Sequence, residues 1–102
     1  MLFSNILPYE ILFHKAYIIF VEKIMPTVLI IKGYRFFFYI NDHTPPHIHV
    51  EKGRSTAKYD LRNAELVKSK RFNAKEISEI RKLVIDNAEF LISKWDEYFN
   101  LQ

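Results

Sequence analysis

The chain has 102 residues, 49% hydrophobic and 26% charged; this describes one domain with a modest core and excludes a disordered polymer. It has no cysteine, so disulfides and thiolate-bound zinc are excluded and a reducing cytoplasm is compatible. A net charge of +3 allows an acidic partner without requiring one.

Nine Phe, six Tyr and one Trp mean that so small a core rests on a few large side chains. Met1 to Ile24 is apolar but irregular. Its longest uncharged apolar run, Ala16 to Val21, is far short of the roughly 20 residues a membrane span needs. No early basic residue and no small-x-small site mark a secretory signal. Two readings remain. Ile11, Leu12, Lys15, Tyr17, Ile18 and Ile19 can share an accessory amphipathic helix, or residues 1–24 are a non-native extension ahead of a true start at Met25. Clean patterning begins at Met25-Pro26, so the single domain is expected over residues 25–102.

Thr27 to Ile31 is a short β-branched run, and Lys32-Gly33 supplies a turn. Tyr34 to Ile40 follows as a strand with Tyr34, Phe36, Phe38 and Ile40 on one face and Arg35, Phe37 and Tyr39 on the other. Aromatics on both faces predict a central strand covered on both sides. One helix covers one face only, so a second protomer or a partner protein is expected on the other.

Asn41 to Pro46 connects to the stretch His47-Ile48-His49-Val50-Glu51, where Ile48 and Val50 face the core and His47, His49 and Glu51 face away. A two-residue turn at Lys52-Gly53 pairs His49 with Thr56 and His47 with Lys58. A loop two residues longer moves His49 opposite Lys58 and His47 opposite Asp60. Either way the faces hold, because side-chain parity survives a shift of two. Ala64 to Val67 is a last short strand, followed by Lys68, Lys70 and Arg71.

Asn73 and Glu76 then make a capping box, with Phe72 and Ile77 as hydrophobic staple. Ile77, Ile80, Val84, Ala88, Leu91, Trp95 and Tyr98 recur at threes and fours as an apolar stripe. One unbroken helix from Ala74 to Phe99 would run roughly 39 Å, so a kink near Asn87 or a partner along its end is expected. The fold class is α+β: an antiparallel sheet of four to five strands packed against this C-terminal helix.

The chemistry concentrates at the histidines. His47 and His49 project in parallel from one strand, and with His43 or Asp42 folded over they can hold a divalent transition metal such as zinc, manganese or iron. Without metal, His47 and His49 with Lys58 can work as general acid and base on RNA, with Arg54 and Thr56 binding phosphate. Lys68, Lys70, Arg71 and Lys75, at a helix start, can contact nucleic-acid phosphates. The plainer alternative is a pair of half-exposed sheet histidines. The run is similar to that of histidine-triad nucleotide hydrolases, but Glu51 stands where the third histidine is needed, and that identity is rejected.

Met-Pro-Thr-Val at Met25, Gly-Tyr-Arg-Phe-Phe-Phe-Tyr at Gly33, Asp-His-Thr-Pro-Pro-His-Ile-His-Val at Asp42 and Lys-Trp-Asp-Glu-Tyr-Phe at Lys94 resemble a bacterial family of small proteins, domain of unknown function 4160. The resemblance runs from Met25 to about Phe99. It implies a protein encoded beside another small domain, in a toxin–antitoxin-like or regulatory pair. The expected function is therefore a cytoplasmic member of such a pair acting on or near nucleic acid through its histidine face. The alternative is a non-enzymatic binding or regulatory module in which the Pro-Pro-His-Ile-His loop is structural.

Overall fold

The computed structural model describes residues 8–99. A helix α1 (Pro8–Ile24) leads into five strands, β1 (Thr27–Ile31), β2 (Tyr34–Phe37), β3 (His47–Lys52), β4 (Ser55–Asp60) and β5 (Leu66–Lys70). Two helices follow, α2 (Ala74–Asp86) and α3 (Ala88–Phe99). The strands form one antiparallel sheet in the order β1-β2-β3-β4-β5. The expected α+β class and sheet are therefore present.

Turn chemistry makes the meander. Lys32 and Gly33 both take positive φ, 53° and 83°, as a two-residue type I′ loop requires. Gly53 has φ 59°, but it opens the second loop rather than closing it. The loop is Gly53-Arg54, still two residues but shifted by one, with Lys52 paired to Ser55. Lys52-Gly53 is not the turn, and the pairing is the one expected of the longer loop. His49 stands opposite Lys58, and His47 opposite Asp60.

Two strand boundaries differ from expectation. The second strand ends at Phe37, not Ile40, and Ile40 is exposed. Past Phe37 the backbone is held by Phe38 N–H donating to Pro26 O and Ile40 N–H to Ile24 O. It then turns at Asp42, whose N–H donates to Tyr39 O. The last strand is Leu66–Lys70 instead of Ala64–Val67, because Ala64 at φ 59° belongs to the preceding turn. Lys68 and Lys70 thus lie on the edge strand rather than in a loop at the helix start.

One sheet face carries the core. Tyr34, Phe36, Ile48, Val50, Ala57 and Tyr59 are buried against Ile80 and Val84 of α2 and Leu91 and Trp95 of α3. Asn73 caps α2 through a complete capping box, its side chain accepting from Glu76 N–H. The expected break falls at Asn87: its side-chain amide donates to Leu83 O at 2.8 Å, taking up a carbonyl of the last turn. The apolar stripe then resumes in α3. There Trp95 meets Phe38 edge-on at 5.4 Å.

On the second aromatic face, Phe37 is already covered within the chain. Phe37 is buried by neighbours on its own face: the Arg35 guanidinium 4.2 Å above its ring, His49 stacked at 5.5 Å and Tyr39 edge-on at 5.3 Å. Arg35 is fixed in turn by bonds to Thr27 Oγ1, Met25 O and Glu51 Oε1. Tyr17, Ile18, Ile19 and Phe20 of α1 are exposed. Residues 1–7 of the expected extension lie outside the described residues. No described helix is long and apolar enough to cross a membrane.

Candidate functional site

The open sheet face and the loop before β3 meet at the histidines. β3 begins with His47 directly after the Pro45-Pro46 pair, where the Thr44–Pro45 peptide is cis. The Pro45 carbonyl lies 2.9 Å from His47 Nδ1. A carbonyl only accepts, so Nδ1 carries the proton and Nε2 of the neutral ring is left with its lone pair.

Asp42 folds over from the loop. Its Oδ2 accepts from Tyr39 N–H at 2.8 Å, which turns Oδ1 toward the sheet. There Oδ1 lies 3.0 Å from His47 Nε2 and 3.3 Å from His49 Nε2. The His49 contact is a hydrogen bond. The His47 contact is close enough for an ion pair but lacks hydrogen-bond direction, and Nε2 is left without a hydrogen-bond partner among the described residues. His47 is buried, 6% exposed, with the Trp95 ring 5.1 Å away and His49 edge-on at 5.0 Å.

Burial pushes the Asp42 carboxyl up, but the Tyr39 N–H and the two imidazoles outweigh it and hold Asp42 below the usual carboxylate range. Burial also pushes the His49 imidazole down; Asp42 opposes this, while His47 and Lys58 add to it. Asp60 is held low chiefly by Arg62, whose guanidinium donates to it at 2.6 Å. Asp60 therefore spends its carboxylate on Arg62 although it pairs with His47 in register.

Two open cavities flank the cluster. One, about 380 Å³, runs over the sheet and is lined by Phe37, Tyr39, His49, Thr56, Lys58, Lys68 and Lys70 among others. The second, about 490 Å³, is lined by Asn41, Asp42, His43, Thr44, Pro45, His47, Lys58, Asp60 and Val67. Lys58 borders both, since it stands opposite His49 on one side and Lys68 on the other. Glu51 is already held by Arg35 at 2.8 Å, so Lys58, Lys68 and Lys70 remain unpaired positive charge among the described residues.

Of the residues singled out in the sequence, Asp42, His47 and His49 converge, their ligand atoms all within 4.8 Å of one another. His43 is exposed on the outer cavity and outside that group. Thr56, Lys58, Lys68 and Lys70 share the sheet cavity, whereas Arg54 and Arg71 lie outside its lining. Those two meet each other at the sheet end, Arg71 Nη1 reaching Arg54 O at 3.5 Å. Sequence reasoning passed over Tyr39 and Phe37 as site residues, although their shared parity with Arg35 pointed to that face. Trp95, which walls His47, carried no local signal.

Fold and site together define a small α+β domain with a histidine–carboxylate cluster at the end of an open, lysine-bearing sheet face. The family model for a domain of unknown function, DUF4160, matches residues 33–96, and the chain belongs to that family. No curated protein and no solved structure matches the chain.

Proposed function

We propose that this protein acts on single-stranded nucleic acid, RNA first of all, laid across the open sheet face, as one member of a toxin–antitoxin-like pair in the cytoplasm. The observation that carries the reading is the row Lys58, Lys68 and Lys70 facing Phe37, Tyr39 and His49 across one cavity. Lysines at that spacing suit successive phosphates, and Tyr39, 38% exposed at the rim, offers a ring for a base to stack on. His49 opens on the same cavity, and an imidazole kept neutral by burial is suited to accept a proton from a ribose hydroxyl. His47 and Lys58 support it. The exposed Tyr17, Ile18, Ile19 and Phe20 of α1 suit a small protein partner, as the family resemblance implies.

Binding of a labelled 12-nucleotide single-stranded RNA, followed by anisotropy, tests the reading. Affinity is expected to fall with salt with a log–log slope of about −2, from three lysine–phosphate contacts at about 0.7 each. Replacing Lys58, Lys68 and Lys70 by Gln is expected to abolish that slope while the fold persists. Equal binding by wild type and the triple variant would sink the proposal.

A second reading, with the Pro-Pro-His-Ile-His loop structural and the protein a binding module, is favoured by the burial of His47 and its bond to Pro45. His47→Ala with His49→Ala separates the two. A working site loses activity on RNA and stays folded; a scaffold loses stability or partner binding.

A further inference from the structure

We infer that Asp42, His47 and His49 form a binding site for one divalent first-row transition ion, of the zinc or iron(II) class. The inference leaves the lysine row of the nucleic-acid reading untouched but takes His49 as a ligand in place of a free base, and it starts from the unpartnered nitrogen. His47 is 6% exposed, and its Nδ1 is committed to Pro45 O. Its Nε2 therefore lies 3.0 Å from Asp42 Oδ1 with a buried lone pair that no donor among the described residues satisfies. Two electron-rich atoms that close, in a buried setting, need a cation between them.

A proton serves this poorly, because the contact lacks hydrogen-bond direction and the same oxygen already faces His49 Nε2 at 3.3 Å. A metal ion satisfies all three atoms at once. Ligands at 2.0–2.1 Å in tetrahedral geometry stand about 3.3 Å apart along each edge. The two nitrogen–oxygen separations, 3.0 and 3.3 Å, match that edge, and the three ligand atoms lie within 4.8 Å of one another, so binding draws the two imidazoles together around the carboxylate oxygen.

The surrounding bonds are those that fix ligands in place. Pro45 O sets the His47 tautomer and ring angle, and Tyr39 N–H orients the Asp42 carboxylate. Two imidazoles with one carboxylate select zinc, iron or a similar ion over magnesium or calcium, which prefer all-oxygen sets. Three protein ligands leave a position for water or a substrate oxygen. Asp42 and His47 line the outer cavity and His49 the sheet cavity, so that position is reachable from solvent.

The test uses the full chain, stripped with chelator and titrated with Co²⁺, Zn²⁺, Fe²⁺ under anaerobic conditions, and Mg²⁺. Expected are one ion per chain for the first three, d–d absorption bands for Co²⁺, a raised melting temperature, and no response to Mg²⁺. Trp95, the chain's one tryptophan and 5.1 Å from the His47 ring, is expected to change its emission on Co²⁺ binding. Asp42→Asn and His49→Gln are each expected to weaken Zn²⁺ at least about tenfold. Should Asp42→Asn fail to fold, His49→Gln and the wild-type stoichiometry carry the test. Wild type without a stoichiometric ion, a Mg²⁺ response equal to that of Zn²⁺, or unchanged Zn²⁺ affinity in a folded variant overturns the inference.

Discussion

Two tyrosine hydroxyls tie the first helix after the sheet to the strands beneath it. Tyr34 donates to Glu79 Oε1 at 2.8 Å and Tyr59 to Ile77 O at 2.8 Å, each from a ring almost wholly buried. Burial, assisted at Tyr34 by Glu79, pushes both phenols up from 10.0 to about 12. Their folded values lie above the unfolded one, so the unfolded chain loses these protons first as pH rises. Stability is therefore expected to be intact below pH 10.0 and to fall progressively as pH climbs toward about 12. Urea melts at several alkaline pH values check this. Tyr34→Phe or Tyr59→Phe should flatten the fall while costing about 1 kcal/mol at neutral pH from the lost hydrogen bond. A fall of unchanged steepness in both variants would refute it.

Elements here are set by their ends. The capping box at Asn73 satisfies orphan N–H groups at the start of α2 in both directions, Asn73 N–H donating to Glu76 Oε1 and Glu76 N–H to Asn73 Oδ1. Asn73→Ala is expected to lower unfolding free energy by about 1 kcal/mol, read as a shift of the denaturation midpoint with unchanged slope; no shift would mean that packing alone holds the helix start. At the other end, Asn87 separates α2 from α3 by competing for the Leu83 carbonyl. Both helix ends were legible, because a cap and a poor interior residue act through bonds three or four residues away. The second hairpin was only half legible. Its alternation survived while its register moved by two, since parity has period 2 and Gly53 serves either loop. The exception is His47, expected half-exposed on the outer face but buried beside Trp95, because α3 reaches past the end of β3.

At the scale of the molecule, extents of 48 × 38 × 20 Å describe a slab one sheet and one helical layer thick. Such a slab covers one sheet face with helices and leaves the other open. α1 enters this plan through its last carbonyl, Ile24 O, which accepts from Ile40 N–H, while its side chains from Lys15 to Phe20 are exposed. We propose that residues 1–24 are accessory to the domain. A chain begun at Met25 is then expected to stay folded, losing the Ile24 O bond and the partial burial of Val21 and Ile24 at a cost of about 2 kcal/mol. Circular dichroism and urea melts check it, and a product without a cooperative transition would mean that α1 supplies core.

By itself the sequence determined the alternation of β3 and β4, the Lys32-Gly33 turn, the capped helix and its apolar stripe, because each is written in residues a few positions apart. Only the tertiary structure decided that Asp42 swings onto the two histidines, that Trp95 walls His47, and that Phe37 is buried by its own neighbours. Those contacts join residues distant along the chain or placed by a loop's path. Their geometry follows from how the sheet, the loop and α3 pack together, which no local spacing encodes.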